Sequence, residues 1–83
     1  MMQDLEPRSP KDYTEEMHAD AVRKLDDENR VLVDFIDACV LLEISRPHAY
    51  GLARKDELPG CIRLGNTWKV RRAVLKKFLY GEE

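Results

Sequence analysis

Apolar positions are sparse and helically spaced before residue 30, and dense after it. Tyr13, Met17, Ala21 and Leu25 recur every four residues, and Val22 widens the stripe. That period belongs to one face of a helix. Thr14 stands where an N-cap belongs, with Glu15 and Glu16 behind it, where carboxylates meet the positive end of the helix dipole. The stripe is thin, and it fits three states equally: docking on the rest of the chain, contact with another subunit, or a partly populated helix. Residues 1–12 hold Pro7, Ser9 and Pro10 among charges and few apolar side chains. They are expected to be disordered, because they bury too little to offset the entropy of ordering.

From Val31 the texture changes. Phe35, Ala38, Cys39 and Leu42 fall at three- and four-residue spacing and predict a short helix over about 35–42. Asp34 is its expected N-cap, with Asp37 as the capping-box acceptor. Ser45 then begins a second helix over 46–55, with Pro47 in the first turn, where a missing N–H does no harm. Its apolar side is Ala49, Leu52 and Ala53; its other side shows Arg46, His48, Gly51, Arg54 and Lys55. Two short helices joined by a tight turn form a helix-turn-helix.

Leu58-Pro59-Gly60 breaks the second helix. Cys61–Leu64 and Thr67–Val70 are short alternating runs around Gly65-Asn66, a hairpin signal. Trp68 and Val70 are expected to anchor this ribbon, with Arg63 and Lys69 facing solvent, since Ile62, Leu64, Trp68 and Val70 cannot share one side. A third helix is predicted over 72–80, with Val74, Leu75, Phe78 and Leu79 inward, Arg72, Lys76 and Lys77 outward, and Gly81 as its stop. The reading is a mainly α fold with a small β-hairpin, a winged helix-turn-helix domain at 31–80. It follows an acidic extension at 1–30, disordered to partly helical, and precedes a tail at 81–83.

Charge sharpens this picture. The net charge of −2 conceals a division. Residues 1–29 carry nine acidic and four basic groups, net −5, whereas residues 46–77 carry nine basic and two acidic groups, net +7. A concentrated basic face is the footprint of a polyanion binder. No apolar run approaches the ~20 residues of a transmembrane helix. No basic-then-apolar leader opens the chain, so a cytoplasmic protein without membrane contact is expected. Cys39 and Cys61 are expected as buried free thiols. His18 and His48 lack ligand spacing to them, so no metal is expected. No nucleophile–base pair stands at recognisable spacing, so neither a cofactor nor enzymatic activity is expected.

The set Ile44-Ser45-Arg46, Tyr50, Glu57-Leu58-Pro59, Arg63-Leu64-Gly65, Trp68-Lys69-Val70, Leu75 and Phe78-Leu79 resembles the MerR-like winged helix-turn-helix domain of phage and mobile-element excisionases, the recombination directionality factors. The resemblance covers about 33–80. It departs at Asp56, where that family often has glycine, at Pro47, where it often has a small or polar residue, and at Gly51, where it often has a basic or polar one. It implies that the second helix enters the major groove through Arg46, Pro47, His48, Gly51, Arg54 and Lys55. The wing would reach the backbone or minor groove through Arg63, Asn66, Thr67 and Lys69. The Tyr50 ring is expected beside the first helix, with its hydroxyl toward a phosphate. The function implied is an accessory factor of site-specific recombination that binds repeated sites cooperatively, bends duplex DNA and directs an integrase toward excision. Its implied partners are double-stranded DNA, an integrase and further copies of itself on DNA. A small MerR-like transcriptional regulator uses the same fold and contacts, and a protein–protein adaptor module is a third reading.

Overall fold

The computed structural model describes residues 12–81. The disorder expected of the leader falls on residues outside these, except at Asp12, and so does the tail beyond Gly81. The chain runs as α1 (Glu15–Asp26), β1 (Leu32–Asp34), α2 (Phe35–Leu42), α3 (Arg46–Arg54), β2 (Cys61–Leu64), β3 (Thr67–Arg71) and α4 (Arg72–Tyr80). The three strands form an antiparallel sheet in the order β1-β3-β2.

Several helix boundaries have a local cause. The Thr14 hydroxyl accepts from the Met17 N–H at 3.1 Å to start α1, and the Ser45 hydroxyl accepts from the His48 N–H at 3.2 Å to start α3. These bonds satisfy N–H groups that have no partner within the helix. Gly81 ends α4 in the left-handed region at φ 68°, as predicted for a glycine stop. Glu43 (φ 57°) and Asp56 (φ 61°) take the same conformation after α2 and α3. Asp56 marks the place where the related family often carries glycine, and aspartate is among the residues that tolerate this region. Gly60 is required twice over. Its φ is +74°, and a Cβ there would lie 3.0 Å from the Val74 Cβ and 3.1 Å from the Arg71 carbonyl.

The core gathers Leu25, Val33, Phe35, Ala38, Cys39, Ala49, Ala53, Leu58, Val70 and Leu75 from every layer. Leu25 and Ala21 are fully buried, so α1 is docked through its thin stripe, against α2 and α4. Val22 stays on the exposed side.

Four expectations need correction. The apolar run that opens at Val31 leads into a third strand, Leu32–Asp34: Val33 pairs with Val70 in register and covers the core beside it. Asp34 occupies the N-cap of α2 but makes no side-chain cap bond. Its carboxylate accepts instead from the Lys69 ammonium at 2.8 Å. Asp37 is likewise no capping-box acceptor; it is buried and takes a bond from Lys24 at 3.3 Å. The inward face of α4 is also rotated from the predicted one. Val74 and Phe78 are exposed, and Arg72 is buried, because its guanidinium serves the main chain. Arg72 Nε donates to the Arg30 carbonyl and Nη1 to the Leu25 carbonyl, both at 2.7 Å. Lys76 is drawn in as well and pairs with Asp26 at 3.5 Å.

Candidate nucleic-acid interface

The small side chains of α3 decide what it presents. Ala49 and Ala53, one turn apart, are buried against the core. The opposite side of a 3.6-residue helix must then be outermost. That side carries Pro47, His48, Gly51, Arg54 and the capping residue Lys55. Pro47, His48, Arg54 and Lys55 are exposed, and nothing lies within 4 Å of a Cβ built at Gly51. The stripe is about 13 Å long, and the major groove accepts such a helix.

Arg46 and Tyr50 lie on the flank. Tyr50 stacks on Phe35 of α2, with ring centroids 4.6 Å apart and planes 19° from parallel. Its hydroxyl accepts from Arg46 Nη2 at 3.1 Å, and the guanidinium lies 5.8 Å from the ring centroid. The ring is thus beside the first helix of the motif, as expected, and its hydroxyl is engaged by Arg46. Arg46 is a half-buried side chain held across one turn.

Register assigns the hairpin's two faces. Cys61, Arg63, Trp68 and Val70 lie on the core side, and Ile62, Leu64, Thr67 and Lys69 on the other. Val70 is fully buried and Trp68 packs half-buried against the core, which anchors the ribbon as predicted. Arg63 escapes to the surface. Its guanidinium sits 5.3 Å from the Trp68 ring, and its Nε donates to the Gly65 carbonyl at 3.0 Å. Asn66 and Thr67 are exposed at the tip. Arg63, Asn66 and Thr67 therefore form one cluster and the α3 stripe another. Lys69 joins neither. The expectation that it faces solvent is overturned, because Asp34 on the neighbouring strand captures it and most of its side chain is covered. This ion pair holds the Asp34 carboxyl below its usual range, chiefly through the Lys69 hydrogen bond.

Pairing inside the fold thins the basic surface. Lys69, Arg72 and Lys76 are engaged there by Asp34, two carbonyls and Asp26. Among the described residues, Arg30, Arg54, Lys55, Arg63, Arg71 and Lys77 are exposed and form no ion pair.

A residue ahead of α1 reaches the turn of the motif. The Tyr13 hydroxyl donates to the Ile44 carbonyl at 2.7 Å. Burial pushes its pKa up to about 12, the nearby Cys39 thiol adds to this, and the Arg46 charge opposes it. Burial pushes Cys39 up to about 11. Groups that ionise less readily when folded stabilise the fold in their neutral forms. That contribution is complete below the ordinary values of 9 and 10, and it is lost as pH rises toward 11 and 12. In an alkaline titration followed at 295 nm, the Tyr13 phenol is expected to ionise near pH 12, and Tyr13→Phe to abolish that step. A folded protein with no phenol step near pH 12, or one whose step survives Tyr13→Phe, would contradict this placement.

A helix-turn-helix whose second helix shows its outer face to solvent, followed by an antiparallel wing, defines a winged helix-turn-helix DNA-binding module. The chain belongs to the helix-turn-helix domain family that matches residues 32–80, a family that includes excisionase-like DNA-binding proteins. No curated protein and no solved structure matches the chain. No helix among the described residues is long and apolar enough to cross a membrane.

Proposed function

We propose that this protein is an excisionase-type accessory factor, a non-catalytic DNA binder that occupies repeated sites, bends the duplex and directs an integrase toward excision. The observation that carries the reading is the exposed stripe of α3. Two of its five positions, Pro47 and Gly51, bring no polar side chain. Base reading then falls on His48 and Arg54, with Lys55 and the wing residues Arg63, Asn66 and Thr67 holding phosphates. A helix with so few readers gains specificity from duplex shape and deformability. The uncovered backbone at Gly51 allows close approach to the groove floor. A module with this small a footprint reaches useful affinity when neighbouring copies bind together.

The test is a gel shift on a duplex spanning the flanks of an attachment site, at several salt concentrations, followed by a recombination assay with the partnering integrase. Binding is expected to weaken steeply with salt. Replacing Arg54 and Lys55 together by alanine is expected to lower the log–log salt slope by about 2, one for each phosphate that is no longer neutralised. An unchanged slope would remove both residues from the interface. Binding that leaves the excision yield unchanged would favour the transcriptional regulator over the recombination factor.

A further inference from the structure

We infer that Tyr13 is a positioning residue for the recognition helix, holding α3 in its reading orientation from outside the helix-turn-helix. This role rests on the DNA-binding reading of α3 and extends it to a residue ahead of the motif.

The turn between α2 and α3 is short and locally held. Glu43 closes α2 in the left-handed region, with its N–H bonded to the Val40 carbonyl at 3.2 Å; the Ile44 N–H donates to the Cys39 carbonyl at 3.1 Å. The ladder of α3 opens one residue later, at the Ser45 carbonyl, which accepts from Ala49 at 2.9 Å. All these bonds lie within one helix or its own cap. They fix where each helix starts and stops, and leave the angle between the helices to side-chain packing. On the α3 side that packing rests on two buried alanines, the half-buried Leu52 and the Tyr50 ring stacked on Phe35.

The Tyr13–Ile44 bond is of another kind. It joins residues 31 apart in sequence and reaches a carbonyl immediately before the α3 cap, two residues before Arg46. Tyr13 is itself anchored: Thr14 caps α1, and α1 is locked on α2 and α4 through Leu25, Ala21 and the Arg72 guanidinium. A rigid path therefore runs from the core through α1 to the root of the recognition helix. The Tyr13 ring also packs against the core, so the hydroxyl is aimed rather than tethered.

Site-specific binding requires a fixed helix angle, because base contacts tolerate little displacement, whereas phosphate contacts by flexible cations tolerate more. Removing the hydroxyl alone should then lower selectivity more than total affinity. The test compares wild-type protein with Tyr13→Phe, which keeps the ring, on a duplex selected from random sequence by the wild-type protein and on a scrambled duplex of equal length. Tyr13→Phe is expected to bind the selected duplex about 3- to 10-fold more weakly, the range of one hydrogen bond, and the scrambled duplex within about twofold of wild type. Equal loss on both duplexes, or no loss on either, overturns the positioning role while the DNA-binding reading stands. Failure of the wild-type protein to retain any duplex overturns that reading and takes this role with it.

Discussion

Leu25→Ala is expected to destabilise the fold by about 2–5 kcal/mol, the range for truncating a fully buried leucine. In a domain of this size that lowers the melting temperature by roughly 10–40 °C. Leu25 is fully buried where α1 meets the core. It belongs to the helix that packs on both α2 and α4, so the space left by truncation cannot close without moving α1. A small domain has a total stability on the order of 5 kcal/mol, so the substitution removes much of it. Thermal unfolding followed by circular dichroism reads the effect directly. A loss below about 1 kcal/mol would mean that α1 is not docked in solution, and the acidic segment would then be an appendage. Val22→Ala, on the exposed side of the same helix, is the matched control and should be nearly silent.

Arg72→Met is expected to cost about 3 kcal/mol, measured as a lower urea midpoint with an unchanged slope. Methionine replaces the aliphatic stem but supplies no donors. The carbonyls of Leu25 and Arg30 each lose a bond of 2.7 Å, and an orphaned buried acceptor costs about 1–3 kcal/mol. The bond to Leu25 closes the C-terminal turn of α1, and the bond to Arg30 fixes the loop before β1. Arg72→Lys should recover only part of the loss, since one ammonium cannot span two acceptors held by a planar fork. Full retention of stability by Arg72→Met would show that water satisfies both carbonyls.

The helices of the domain were legible because caps and breakers punctuate this sequence. Thr14, Ser45 and Gly81 each stand at an observed boundary, and the Gly65-Asn66 turn marked the hairpin. The first strand was not legible. Leu32–Asp34 is only three residues long, too short to reveal a period, and it becomes a strand only because Val70 lies across from it. The phase of α4 was misread for a related reason. Hydrophobicity placed Arg72 outside, and only the fold supplies the two carbonyls that bring it in. The α3 surface followed from the positions of Ala49, Leu52 and Ala53. Charge composition overstated the basic face, because no sequence pattern tells which lysine a distant aspartate will claim: Lys69 and Asp34 are 35 residues apart. Tyr13 was readable as one member of an apolar stripe, and its hydroxyl's destination was not, since the acceptor is a main-chain atom with no identity of its own.

The pairing of β1 with β3 has a kinetic consequence. Its residues are separated by 35 to 39 positions, and Arg72 grips carbonyls 42 and 47 positions earlier. Loop-closure entropy must be met before such distant contacts can reward it. A nascent chain leaving the ribosome therefore presents α1, α2 and α3 while the strand and guanidinium that unite them are still in the tunnel. Assembly waits for the last few residues of β3 and the start of α4, then joins both ends of the domain in one late cooperative step, slower than in a helical bundle of equal length.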